Sequence, residues 1–375
     1  MKTITEIIGG AQALLDVKFD LQTCFEETLN DHQKTFMQIL RCVEEHLPIL
    51  IRPYAGTGRI PYQYLPFLRS QLAKNYFQIE TTSKLIERLR ADPNLRLICG
   101  FTAIPGRSSF SRAFSYLSEI EILQVMLEDF AIETFKNKIV YHVNRDSSAI
   151  NARESVEKKD KKKNKKPLKK RGRPRKGEEK KEKQPSKMEM QTTQSALDSL
   201  EKLNKKCSFS CKKNSHGNIS YWKGYKLHPD VSDTGFPITA CVTGANVHDS
   251  MLAIPMEKMT EQRVAFCCSL MDPAYDSKTI IDFISGRERV PIIDRNKRRN
   301  KNRPPLDPAK KERYKIRTTV ERAFSHLKDN LIPKTIYVKG HAKISFVLFS
   351  AVLCLAALKY LAFFVRGFGK ASLVY

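Results

Sequence analysis

The sequence predicts an α/β protein: a mixed sheet covered by helices, preceded by an all-helical N-terminal domain and interrupted by a basic insertion. Three observations lead there. Residues 1–125 place apolar side chains at helical spacing. From residue 137 the texture changes to short β-branched runs separated by turns, first in meander and later alternating with helices, the pattern of a mixed sheet with helical cover. Within that second part, residues 155–190 hold almost nothing able to build a core, so they are expected to loop out of the sheet as a disordered segment.

The elements follow in order. "FMQILRCVEEHLPILI", "YQYLPFLRSQLAKNYF" and "TTSKLIERLRAD" read as helices, with breaks at Gly56, Gly58, Pro61, Asp92-Pro93 and Pro105-Gly106. Ser108 or Ser109 can cap a helix carrying Arg112. The stretch 94–118 therefore reads as helix, turn, helix, either the geometry that puts a second helix in a major groove or an ordinary hairpin. "KIVYHVNRD" (138–146) is a strand ending in an acid, and "ISYWKGYKLHPDV" (219–231) and "FPITACVTGA" (236–245) are two strands joined by a turn. "RVAFCCSLMD" (263–272) is an apolar strand ending in an acid. It is followed by a helix at 277–285, a strand at 290–294, a basic loop at 295–303 and a long helix from about 309 to 329. The domains are thus expected at 1–125, at 137–154 with 191–340, and at 341–375, with the insertion at 155–190.

The formal net charge is +26, which favours a polyanionic partner, nucleic acid before an anionic membrane surface. Residues 158–187 carry 17 Lys/Arg against 4 Asp/Glu, a net of +13 and half the total, so the remainder of the chain is basic as well. Arg171-Gly172-Arg173-Pro174 inside this tract resembles the core of an AT-hook, a peptide that lies in the minor groove; a cationic DNA-gripping arm and a solvated spacer are the two readings. Nine cysteines without framework spacing suggest a reducing cytosol, and Cys207, Cys211 and His216 match no standard zinc finger. The N-terminus lacks a signal-peptide pattern, so a cytoplasmic protein is expected. "ISFVLFSAVLCLAALKYLAFF" (344–364), with Lys359 as its one charge, is about long enough to cross a bilayer, yet reads better as a buried terminal helix than as a span.

Two strand-terminal acids, Asp146 and Asp272, would lie at the C-terminal edge of the sheet, where active-site groups gather in open α/β sheets. In "YKIRTTVERAFSHLK", Tyr314, Arg317, Glu321 and Lys328 fall at offsets of 3, 7 and 14, within an arc of about 60° on a regular helix. Ile316, Val320, Phe324 and Leu327 form a separate apolar stripe. Three carboxylates from two strand ends and a helix suit two divalent cations, and Mg2+ needs no His or Cys among its ligands. Asp198 is an alternative to Asp146, though no strand precedes it. His228 and the pair His248-Asp249 lie at the ends of neighbouring strands and read either as lining the site or, by preference, as satisfied turn residues, and Trp222 as either a core residue or a stacking platform.

The Tyr-x2-Arg-x3-Glu-x6-Lys pattern of Tyr314, Arg317, Glu321 and Lys328 resembles the signature of bacterial insertion-sequence DDE transposases. "RDSSAINARE", "GYKLHPDVSDTGFPITACVTGANVHDS" and "MDPAYDS" resemble the same family's catalytic core, and "GTGRIPYQYLPFLRSQLAKNY" its N-terminal helical domain. The resemblance implies an RNase-H-like core with Asp146, Asp272 and Glu321 as catalytic triad and metal ligands. It further implies two Mg2+ ions, with Mn2+ as a substitute, and DNA contacts by Tyr314, Arg317 and Lys328; the helix-turn-helix reading adds Arg112 to the expected DNA contacts, and the AT-hook-like motif adds Arg171 and Arg173. The implied partners are double-stranded element ends and target, bound by a homodimer, with no membrane and a nucleoid location. One departure is Pro273 after Asp272, which restricts that acid to an extended backbone. The alternative to a transposase is a catalytically decayed DNA-binding relative.

Overall fold

The computed structural model describes residues 28–52, 56, 61–157, 185–213, 217–296 and 306–365. Most of the basic insertion, including Arg171 and Arg173, lies outside the described residues, as do Gly58, His216 and residues 297–305 of the basic loop. The chain divides into two compact units, one formed by the described residues of 1–130, 326–333 and 345–375, the other by those of 131–325 and 334–344.

The first unit is helical. Its helices are α1 (Asp31–Glu44), α2 (Tyr64–Tyr76), α3 (Thr82–Ala91), α4 (Pro93–Cys99), α5 (Arg107–Glu119) and α6 (Ile122–Phe135, whose end passes into the second unit). Local chemistry sets the ends. Asn30 and Gln33 form a reciprocal capping box on α1. Asp92 ends α3 and caps α4, which starts on Pro93 and stops at Gly100 in the left-handed region (φ 85°). The central helix α2 is buried along most of its length, polar residues included, and several of these are paired: Arg69 Nε donates to Glu44 at 2.8 Å and Gln71 to Asn75 at 2.8 Å, while burial lowers Lys74 to about 8. Arg112 is exposed on α5.

The second unit is built on one mixed sheet. Its strands are β1 (Ile139–Arg145), β2 (Ser148–Asn151), β3 (Ser208–Lys213), β4 (Ile219–Val231), β5 (Pro237–Gly244), β6 (Ala265–Met271) and β7 (Val290–Ile293). The helices are α7 (Lys187–Thr193), α8 (Ala196–Glu201), α9 (Ser250–Arg263), α10 (Lys278–Ser285), α11 (Pro308–Tyr314) and α12 (Thr318–His326). The strand order is β2-β4-β1-β6-β7, with β3 and β5 also paired to β4; β1, β6 and β7 run parallel, and the partners of β4 run antiparallel. Alternation along β6 explains the two covered faces. Met271 packs with Ala253 of α9 and Ile280 of α10, whereas Cys268 and Leu270 pack with Tyr314 and Ile316.

Two short strands escape the sequence pattern. β2 is four residues long and β3 is polar, so neither has a readable period, and the insertion begins after β2 rather than directly after the first strand. The insertion also ends earlier than expected, because Ser186 caps α7 through the amide of Glu189. The helix expected from 309 to 329 is a composite of α11, a 3-10 turn at Lys315–Arg317, α12 and a π-helical segment at Leu327–Leu331.

A last helix, α13 (His341–Tyr360), starts in the sheet unit and continues in the helical one. It is long and apolar enough to cross a membrane, but Leu348, Ala351, Val352 and Leu355 are completely buried in the fold. Ser350 donates to the carbonyl of Gln71 at 3.3 Å, and Asn75 Nδ2 donates to that of Val347 at 3.2 Å. The C-terminal apolar segment is therefore a core helix in this structure.

The centre of the sheet unit holds a fully buried ionic network. Arg145, the last residue of β1, donates from Nε and Nη2 to both oxygens of Asp230 (2.7 and 2.6 Å), from Nη1 to the carbonyl of Ala253 (2.7 Å), and from Nη2 to Glu257 (3.2 Å). Ser269 donates to Glu257 at 2.8 Å and Thr260 to Asp230 at 2.6 Å, so β1, β4, β6 and α9 are joined through groups that water does not reach. Arg145→Met should cost about 3–5 kcal/mol, because it leaves two carboxylates buried without their cation; chemical denaturation against the parent protein measures this.

His228 on β4 is completely buried, bonded through Nε2 to Thr243 Oγ1 at 3.0 Å, and burial pushes it down to about 4. A depressed histidine excludes a proton that the unfolded chain binds, so its contribution is complete above pH 6.5 and is lost as pH falls toward 4. The shift corresponds to about 3 kcal/mol. Denaturation midpoints measured across that range should fall less steeply for His228→Asn, with a residual slope from His326, which burial also pushes to about 4.

Candidate active site

Register brings the strand-end acids together. Arg145 of β1 pairs with Met271 of β6, and Met271 pairs with Ile293 of β7, so the next residues, Asp146, Asp272 and Asp294, leave three adjacent parallel strands at the same level. Each carboxylate is aimed by a neighbouring backbone amide: Asp146 accepts from Ser147 at 2.7 Å, Asp272 from Ala274 at 2.9 Å and Asp294 from Arg295 at 2.8 Å. Pro273 suits this arrangement. It opens the 3-10 turn Pro273–Tyr275 that Asp272 caps, and Asp272 has the extended backbone (ψ 171°) that a following proline requires.

These acids sit uneasily together. Burial raises Asp272 to about 6, and the negative charge of Asp146 adds to the shift. Burial also raises Asp146, opposed by the adjacent Arg317. The Arg317 guanidinium bridges two carboxylates, donating to Asp146 at 2.9 Å from one nitrogen and to Glu321 at 3.0 Å from another. Glu321 itself remains 56% exposed. The structure thus brings Asp146, Asp272, Arg317 and Glu321 to one edge.

Part of the expected polar helix face forms: in the 3-10 turn residues i and i+3 eclipse, so Tyr314 stays beside Arg317, whose guanidinium lies 5.9 Å from the ring centre, and Arg317 in turn reaches Glu321. The Tyr314 ring packs half-buried against Cys268, Leu270 and Ile292. Burial pushes the Tyr314 hydroxyl up to about 12. Lys328 lies in the π-helical segment, which belongs to the helical unit. Asp198 is on α8, away from any strand end, and Trp222 is half-buried on β4.

Two further acids belong beside this edge: Asp294, which sequence reasoning missed, and Asp249, which it preferred to read as a turn residue. Asp294 closes "VPIID" just as Asp146 and Asp272 close their strands; that shared ending was the available signal. Asp249 is more than a turn residue: it accepts from Lys226 Nζ at 2.8 Å and from the Ser147 side chain. Burial pulls Asp249 upward, but His228 and Lys226 outweigh it and hold the carboxyl below its ordinary value. The Tyr275 hydroxyl is buried without a hydrogen-bond partner among the described residues; burial first, and then the negative charges of Asp249, Asp146 and Asp272, raise it well above its usual value.

Among the described residues, no three His, Cys, Asp or Glu side chains converge into a closed metal shell, and Glu321 is bonded to Arg317. The donor chemistry nevertheless suits a hard divalent cation: carboxylate oxygens alone, two of them adjacent and mutually repelling, beside an unsatisfied hydroxyl.

Two family models match the chain. The model described as "Transposase DDE domain" covers residues 146–356, beginning on Asp146 and including Asp272 and Glu321, and "Transposase domain (DUF772)" covers residues 25–115. No curated protein and no solved structure matches. With the larger model spanning more than half of the sequence, the chain belongs to the DDE transposase family.

Proposed function

We propose that this transposase binds the two ends of an insertion sequence and catalyses phosphodiester hydrolysis followed by strand transfer, with Asp146, Asp272 and Glu321 as its catalytic carboxylates. The observation that carries the reading is the in-register delivery of Asp146 and Asp272 by parallel strands, with Arg317 tying Asp146 to Glu321. The sheet, with parallel β1, β6 and β7 extended by antiparallel β4, supports an RNase-H-like core. The match at 25–115 and the exposed Arg112 support an N-terminal DNA-binding region.

Asp146, Asp272 and Glu321 would hold two Mg2+ ions, or Mn2+ in their place. When bound, such ions activate a water or 3′-hydroxyl and stabilise the leaving oxygen. The chain's own groups prepare the rest. The backbone amides of Ser147 and Ala274 fix the two aspartates, and Arg317 supplies a positive charge that keeps Asp146 ionised and stands ready for a phosphate. Lys226 keeps Asp249 anionic, and His228 is neutral at physiological pH, so it adds no positive charge behind the site. The sequence of the insertion, net basic and AT-hook-like around Arg171 and Arg173, supports a second grip on the DNA, and two DNA ends processed together support a homodimer.

Asp146→Ala, Asp272→Ala and Glu321→Ala should each slow Mg2+-dependent end cleavage by roughly a thousandfold or more, about 4 kcal/mol of barrier. Cleavage of a labelled element end measures this. Persistence of cleavage in these variants removes the assignment, and a parent protein that binds but never cuts favours the decayed, purely DNA-binding alternative. Removing residues 158–184 should weaken duplex binding and reduce its salt dependence while the thermal midpoint stays near that of the parent. Binding isotherms across a salt series report the slope, and an unchanged slope makes the tract a spacer.

A further inference from the structure

The β3–β4 hairpin extends past the body of the sheet as a two-stranded ribbon. Ser208–Lys213 pairs with Ile219–Gly224 and with no other strand, while β2 and β5 meet β4 only from Gly224 and Tyr225 onward. Apart from the Lys223 carbonyl at the root, which accepts from Ala152, the ribbon therefore has no further strand on either edge among the described residues. Its root is Gly224, at φ 150°, where a Cβ would lie 2.1 Å from the carbonyl oxygen of Ile150, so only glycine lets the chain pass from ribbon to sheet.

The residues on the ribbon are unusual for a solvated hairpin. Phe209 pairs with Lys223 and Cys211 with Tyr221, which puts these four side chains on one face. Phe209 is 61%, Ile219 54% and Tyr221 75% exposed. Flat apolar edges of this kind invite unwanted pairing unless something occupies them. The charge indicates the occupant: from residue 202 to 229 there is no Asp or Glu, while Lys205, Lys206, Lys212, Lys213, Lys223 and Lys226 fall within the same span. Lys212 and Lys223 make no ion pair among the described residues, and Lys226 reaches back from the ribbon's root to Asp249.

We infer that this ribbon is a duplex-DNA contact that enters the major groove next to the acidic edge, its lysines on phosphates and Tyr221 and Phe209 against base edges or sugars. A two-stranded ribbon has the width that the major groove admits, and a lysine-rich stretch without acids is complementary to the backbone. The inference rests on the transposase reading and adds to it a surface that neither the triad nor the basic insertion includes. The Trp222 platform suggested by sequence is replaced by Tyr221 and Phe209, since Trp222 is half-buried.

The test uses the full chain and a labelled linear duplex of about thirty base pairs, titrated across a salt series. Lys212→Gln with Lys223→Gln should weaken binding about tenfold near 0.1 M salt and lower the slope of log K against log salt by about 2. Tyr221→Ala should weaken binding with the slope unchanged. Both alter exposed or half-exposed positions, and a thermal midpoint equal to the parent's verifies the fold. If the parent binds and both variants match it in affinity and slope, the inference is overturned while the transposase reading stands. If the parent fails to bind any duplex, both are overturned. A variant that binds DNA normally but shifts the monomer–dimer equilibrium in sedimentation shows that the edge pairs with a second copy, which also overturns the inference.

Discussion

Arg145 is buried with Asp230 and Glu257 at the centre of the sheet, and the level of the acidic edge depends on that network. It occupies the position directly before Asp146, and its five-donor fork ties β1 to β4 and α9 at once. An apolar residue there would pack at lower desolvation cost, but it would not fix the registers of three elements relative to each other. The bulge in the β4–β5 pairing at Asp230 and Val231 falls at the same point. We therefore see the network as the anchor that lets a strand end, ordinarily a loose place in a fold, hold a carboxylate still.

Outside that anchor, the site is a cluster of negative charges that two cations answer among the described residues. Arg317 answers Asp146 and Glu321, and Lys226 answers Asp249; Asp272 has no such partner among the described residues, and burial pushes its pKa to about 6. The difference is physical and not a matter of residue type, since Asp146 and Asp272 leave neighbouring strands at the same register. Among the described residues, one accepts from a guanidinium and the other only from a backbone amide. Such a cluster is poised for positive charge, and the ribbon of lysines rising from the same strand as Lys226 places more of it nearby.

Much of this was legible in the chain. The apolar runs ending in Asp146 and Asp272 and the spaced Tyr314, Arg317 and Glu321 pointed to the same edge, because strands and helices write their period into the sequence. The apolar stripe Val320, Phe324 and Leu327 is buried as its spacing implied. Asp249 was not legible, as nothing local separates a capping aspartate from one clamped by a lysine 23 residues earlier. Tyr314 does stay beside Arg317, but its half-burial was not legible, nor was the π-helical segment that holds Lys328, because the spacing assumes regular α-geometry throughout. The role of Arg145 was hidden for a related reason: a charge inside an apolar strand has meaning only through partners 85 and 112 residues away.

The sequence by itself determined the class of fold, the strand-end carboxylates, the family signature and the concentration of positive charge, since each depends on residue type and local period. Only the tertiary structure decided which acids are neighbours, which of them carries a counter-charge, that the C-terminal apolar helix is core, and that Tyr221 and Phe209 rather than Trp222 are exposed. Those outcomes depend on strand register and on burial. Both are collective properties of the packed chain, in which one residue of slip would turn every side chain of a strand to its opposite face.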